Sequence, residues 1–124
     1  TLRYLQQYRG AVQQDSNSND IIIETIHYMK ENIERKLTLQ EIAKHTGYSI
    51  SRFSSLFSQR TGYSPLTYFN MLKIQQACYL LDFTNIKINQ VCYKIGIDDP
   101  YYFSRLFNKI MGMPPKEYKK LKKG

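Results

Sequence analysis

Two arginines carry the most pointed chemistry in this chain. Each is set among small or polar residues on the outward side of a predicted helix. Arg105 stands with Tyr101, Ser104, Asn108 and Lys109, and Arg52 with Ser51, Ser54, Ser55, Ser58 and Gln59. A guanidinium presents a planar fork of donors that matches guanine O6 and N7, a contact worth about 1–3 kcal/mol of discrimination. Arg52 is the corresponding candidate in the first helix, for a base or for a phosphate. Serine hydroxyls bond several bases and specify weakly, although their small size permits close approach. Tyr101 suits a thymine methyl or a phosphate oxygen. Two guanidiniums also fit an ordinary solvated surface, so the elements that position them decide between the readings.

Both helices belong to one repeated stretch. Phe53-Ser54-Ser55-Leu56-Phe57 returns fifty residues later as Phe103-Ser104-Arg105-Leu106-Phe107. The same offset carries Gly62 onto Gly112, Pro65 onto Pro115 and Tyr68 onto Tyr118. Upstream the offset is forty-nine, taking Leu39 onto Ile88, Ile42 onto Val91, Ala43 onto Cys92 and Gly47 onto Gly96. The second copy therefore carries one extra residue in the turn from Gly96 to Pro100. An apolar helical block, a glycine turn and a second helix with a polar, basic face form the pattern of a helix-turn-helix. Phe53, Phe57, Phe103 and Phe107 fall on inward positions and read as core, not as platforms for bases.

In chain order, Leu2, Leu5, Tyr8 and Val12 space a weak amphipathic helix over residues 1–14, and the polar run from Gln13 to Asn19 reads as a linker. Residues 1–19 are thus expected to be a linker or the tail of a missing upstream domain. Asp20 predicts an N-cap for a helix reaching about Arg35, with Ile22, Ile26, Met29 and Ile33 on one face. Thr38 and Glu41 form a capping box, and Gly47 ends the helix they open. Ser49 caps the next helix, Ile50 to about Thr61. Ser64 and Pro65 open another, which runs to about Leu81. Its apolar residues cover more than one face, as a connector shared by both copies requires. Lys87 is a poor N-cap, whereas Asp99-Pro100 is a firm helix start. Pro115 begins a last helix through Tyr118, followed by a lysine tail that reads as a solvated end. The predicted fold class is all-α, without strands. It has two homeodomain-like helix-turn-helix subdomains at 20–64 and 84–124, a connecting helix at 65–83, and seven main helices.

The totals are compatible with this scheme. In 124 residues, 18 Lys+Arg outweigh 10 Asp+Glu for a formal net charge of +8, a balance that favours a polyanionic partner. Lys119, Lys120, Lys122 and Lys123 supply half of that charge, so charge alone says little about the helices. A copy of fifty residues is marginal by itself, which is a second reason to expect a shared element. Cys78 and Cys92 lie in apolar helical patterns and not in metal-ligand spacing, which predicts buried, reduced thiols and a cytoplasmic setting. No apolar run approaches a membrane span and no secretory signal is present. His27 and His45 read as lone helix residues. Without a nucleophile–base pair, metal cluster or phosphate-cradling glycine loop, an enzyme is the weakest option, and no cofactor or metal is expected. A protein-interaction module is the competing class. Ser, Arg, Asn and Tyr on the outward faces suit base edges better than they suit the apolar anchors of a protein interface.

One motif is more specific than any of these totals. Gly96-Ile97-Asp98-Asp99-Pro100-Tyr101-Tyr102-Phe103-Ser104-Arg105-Leu106-Phe107 is followed at fixed spacing by Gly112, Pro115 and Tyr118. In the first half, Leu37-Thr38-Leu39, Ile42-Ala43, Gly62, Ser64-Pro65, Tyr68, Ala77 and Leu80-Leu81 complete the pattern. Over about residues 21–120 the chain resembles the AraC/XylS family of bacterial transcription regulators. The resemblance implies two helix-turn-helix units on a rigid connector, each recognition helix entering a major groove on adjacent turns of one DNA face. It implies base readers at Ser51, Arg52, Ser54 and Ser55 in the first unit, and at Pro100, Tyr101, Ser104 and Arg105 in the second. Phosphate contacts are expected at the helix N-termini marked by Thr38, Ser49 and Asp99, and from Lys44, Arg60, Lys94 and Lys109. The first reader is expected to be permissive and the second selective. Lys73 stands where the family usually has Arg, Ile97 where it usually has Phe or Tyr, and Pro114 where it usually has Ser. The partners implied are double-stranded DNA, RNA polymerase and an upstream sensing or receiver domain, with no membrane and no small molecule in this segment.

Overall fold

Thr38 opens a helix in the way its spacing to Glu41 predicts. The computed structural model describes the backbone of residues 9–123 and the side chains of residues 20–121. In it, the Glu41 N–H donates to Thr38 Oγ1 at 3.1 Å and the Thr38 N–H donates to Glu41 Oε1 at 2.8 Å. Each bond satisfies a donor that a helix start otherwise leaves unpaired. The described residues form seven helices: α1 (Arg9–Glu31), α2 (Leu39–Thr46), α3 (Ile50–Thr61), α4 (Pro65–Phe83), α5 (Ile88–Lys94), α6 (Pro100–Met111) and α7 (Pro115–Lys123). No strand occurs among them. The fold is all-α, two helix-turn-helix subdomains joined in the chain by the long helix α4.

The caps follow the residue types. Ser49 Oγ accepts from the Arg52 N–H at 3.2 Å, and Asp99 Oδ1 accepts from the Tyr101 N–H at 3.0 Å. Lys87 has no acceptor to offer. At α5 only the reciprocal half of a capping box exists, the Lys87 N–H donating to Gln90 Oε1 at 3.3 Å.

By its packing the chain divides into two units. One contains α1 to Glu31 together with Thr38–Pro65; the other contains Asn32–Leu37 and the chain from Leu66 onward. In the first unit Ile22, Met29, Ile42, Ala43, Phe53 and Phe57 are buried, with the two phenylalanine rings 5.6 Å apart. In the second, Ile74, Ala77, Leu81, Val91, Cys92, Ile95 and Ile97 bury Phe103 and Phe107. Tyr118 closes this core edge-on against Phe107 at 5.6 Å. The repeated Phe-x-x-x-Phe spacing thus seeds each core, and burying each ring contributes about 1.5–3 kcal/mol relative to exposure.

Three local expectations are corrected. The helix expected to start at Asp20 begins at Arg9, so Asp20 lies mid-helix and the run from Gln13 to Asn19 has helical backbone. Those residues include no proline or glycine, so nothing in them interrupts the i→i−4 ladder. Of the weak helix expected over 1–14, residues 1–8 lie outside the described residues. At its other end α1 stops at Glu31, short of Arg35. The carbonyls of Ile33 and Arg35 instead accept from the Lys73 ammonium at 2.6 and 2.9 Å, a tertiary donor that replaces further helix. Finally, the tail expected to be a solvated end continues α7 to Lys123. Lys119 Nζ donates from it to the Ile86 carbonyl at 3.3 Å.

Candidate nucleic-acid interface

The second helix of each unit presents a polar face for a simple geometric reason. Phe53 and Phe57 on α3, and Phe103 and Phe107 on α6, are turned fully inward. The residues on the side of each helix away from those rings then face water. On α3 the side chains of Ser51, Arg52 and Ser55 are exposed. They line a cleft of about 470 Å³ together with Ser49, Leu56 and Gln59. The Arg52 guanidinium lies 5.5 Å from the centre of the Tyr48 ring, a cation–π contact that holds it near the helix start. On α6 Pro100 and Arg105 are exposed, Tyr101 is 80% exposed, and Ser104 is half-buried. The Arg105 side chain makes no hydrogen bond or ion pair to any described residue. It borders a cavity of about 430 Å³ whose other walls include Phe69, Asn70 and Tyr102.

Ser54 departs from the outward role expected of it. It is half-buried, and its Oγ is out of contact with solvent and without a hydrogen-bond partner. Three residues before the buried Phe57, it lies only about 60° around the helix from that ring, on the flank of the inward side. The two guanidiniums are also not equivalent. The fifty-residue offset places Arg52 on Tyr102 and Arg105 on Ser55. Arg52 therefore occupies the first turn of its helix and Arg105 the second.

The expected phosphate contacts are dispersed over both units. Lys44, Lys94, Lys109 and Arg60 are exposed. Thr38, Ser49 and Asp99 are committed to their caps. Asp99 as a carboxylate offers no donor to a phosphate. What it contributes is the orientation of the backbone N–H groups at the start of α6.

Several side chains carry more than the sequence revealed. Lys73 is 4% exposed and its ammonium donates to three carbonyls, those of Ile33, Arg35 and Ile95. Burial, and secondarily the nearby charge of Lys36, lowers its pKa to about 8. Its signal in the sequence was its isolation, as the single charged residue between Pro65 and Leu81. Lys36 meets Asp98 at 2.9 Å, and that hydrogen bond holds the Asp98 carboxyl below its usual range. The histidines are not lone. The His45 ring stacks on Tyr28 with centroids 4.2 Å apart, and His27 Nε2 lies 3.2 Å from Glu31 Oε2. Cys92 is buried and its thiol pKa is raised, chiefly by that burial, while Cys78 is only half-buried; neither is in a disulfide. Among the described residues no group of His, Cys, Asp or Glu is placed to hold a metal ion, and no helix is long and apolar enough to cross a membrane.

A family model described as a helix-turn-helix domain matches residues 27–121. The MmsAB operon regulatory protein of Pseudomonas aeruginosa is 40% identical over 92 residues, covering 74% of this chain and 30% of that protein. The arabinose operon regulatory protein of Escherichia coli is 35% identical over 97 residues, covering 77% of this chain and 33% of that one. This chain thus spans about a third of the length of these relatives. The crystal structure of an AraC-type transcriptional regulator from Chromobacterium violaceum superposes with a TM-score of 0.79 at 27% identity, covering 86% of this chain and 96% of that one.

Proposed function

This chain belongs to the AraC/XylS-type helix-turn-helix regulators of transcription, and from that premise we propose that α3 and α6 each read bases in a major groove of one DNA duplex. The observation that carries this reading is the outward face of each helix, which bears an exposed guanidinium beside small hydroxyls over a phenylalanine-filled core. Arg105 grips a guanine and Tyr101 packs on a neighbouring base or phosphate. Arg52, held at its helix start by Tyr48, takes a base or a phosphate, and Ser51 and Ser55 permit close approach without much discrimination. Lys44, Arg60, Lys94 and Lys109 neutralise phosphates. Binding is therefore selective in the second reader and permissive in the first.

Selection of duplexes from a random pool tests this. The expected result is two short blocks about ten base pairs apart, the distance between major grooves on one face, with stronger preference in the block read by α6. Stronger preference in the other block would reverse the assignment, and a pool without enriched blocks would reject it.

The relatives' greater length supports a larger regulator in which an upstream sensing or receiver domain controls this segment, in the cytoplasm. An exposed aromatic pair, Tyr79 and Phe83 with ring centroids 5.0 Å apart on α4, favours a protein contact in addition to DNA. RNA polymerase is the partner we assign to it. Phe83→Ser should leave duplex affinity intact and lower transcription from a responsive promoter; unchanged transcription would remove that assignment.

A further inference from the structure

We propose that residues 33–36 form a brace that sets the start of the second reading helix, with Lys73 as its positioning residue; this rests on the reading of α6 as a base-reading helix. The turn from Ile95 to Asp98 leads into the N-cap of α6; two of its residues meet the brace and a third shares a donor with it. At Ile95, the carbonyl accepts from Lys73 Nζ at 2.6 Å, and the same ammonium donates to the brace carbonyls of Ile33 and Arg35. An ammonium has three protons, so each is used and the brace is tied to the turn through one buried charge. At Gly96, a Cβ would stand 2.3 Å from the Glu34 carbonyl oxygen, so only a glycine lets the two backbones approach. At Asp98, the carboxylate pairs with Lys36 at 2.9 Å. Asp98 adjoins Asp99, whose side chain caps α6.

The glycine turn of the first copy has no such backbone against it. Gly47 has almost the same backbone angle as Gly96, φ +82 against +77, yet a Cβ there would meet nothing within 4 Å. The extra residue of the second copy falls in the turn from Gly96 to Pro100, which overlaps the braced segment. A helix whose start is fixed before DNA arrives loses less conformational freedom on binding. Its guanidinium is then held to one base-edge geometry, which makes the α6 reader the selective one.

The paired glycines supply the test. Gly47→Ala and Gly96→Ala introduce the same left-handed strain, but only the second pushes a methyl against the brace. Affinities are measured on a duplex selected by the unaltered chain and on duplexes changed at one base pair in either block. The unaltered chain should lose roughly tenfold or more for a change in the block read by α6. Gly96→Ala should cut that penalty to within about threefold while the other block's penalty stays as it was; Gly47→Ala should leave the α6 penalty intact. Asp98→Ala removes only an exposed pair, so it keeps the test decisive if Gly96→Ala does not fold. It should weaken the α6 penalty by a smaller factor, and the charge swap Lys36→Asp with Asp98→Lys should restore it. Lys73→Arg, which keeps the charge, should retain the full penalty. An α6 penalty equal in the unaltered chain and in folded Gly96→Ala or Asp98→Ala would overturn the brace. Absence of a penalty in the unaltered chain would instead overturn the reading of α6 itself.

Discussion

Lys73 on α4 donates to the carbonyl oxygen of Ile95 at 2.6 Å, so a charge buried in the connecting helix caps the end of α5. The same ammonium also donates to the segment after α1, at the carbonyls of Ile33 and Arg35.

That node makes stability depend on pH. The Lys73 pKa falls from 10.5 to about 8 in the folded chain, chiefly through burial. Below about 8 both the folded and unfolded forms carry the proton, and the full cost of burying the charge is present. Between the two values the unfolded chain binds more protons, so this group's contribution to stability rises with pH. Loss of the proton leaves one of three carbonyls without a donor, which limits the gain. Urea midpoints at pH 7.5 and 9.5 should therefore rise for the unaltered chain relative to Lys73→Arg, whose guanidinium stays protonated. Parallel behaviour would show that the carbonyls retain the proton.

Arg105 and Lys109 should fail differently. Arg105→Ala is expected to relax preference at one base pair, costing about 1–3 kcal/mol on the preferred duplex. Lys109→Ala should weaken all duplexes alike and reduce the log–log salt slope by about 1. Binding curves on a panel of duplexes at several salt concentrations separate the two, and identical behaviour of both variants would contradict the division between base and phosphate contacts.

Ser54 holds a buried hydroxyl without a partner. Such a group costs about 1–3 kcal/mol of desolvation, so Ser54→Ala should raise the melting temperature. A fall would mean that the hydroxyl is satisfied in solution.

The start of α5 is under-capped. Lys87→Asp supplies an acceptor to its first-turn N–H groups and a favourable charge at the helix N-terminus, for a gain of about 0.5–2 kcal/mol in thermal or urea unfolding. Thr38→Ala, at the equivalent position of the first copy, should lose a similar amount.

The sequence by itself determined the duplication, the helices from α2 to α6 and the polar outward faces of α3 and α6. These depend on local rules: Thr38, Ser49 and Asp99 cap because of their own oxygens, and the Phe-x-x-x-Phe spacing buries one side of α3 and α6 and exposes the other. Only the tertiary structure decided where α1 ends, how Ser54 turns and what Lys73 does. Each depends on a neighbour distant in the chain or on packing space that no periodicity encodes. The clearest case is the pair Gly47 and Gly96, alike in sequence context and backbone angle, of which only Gly96 has another segment of backbone against it.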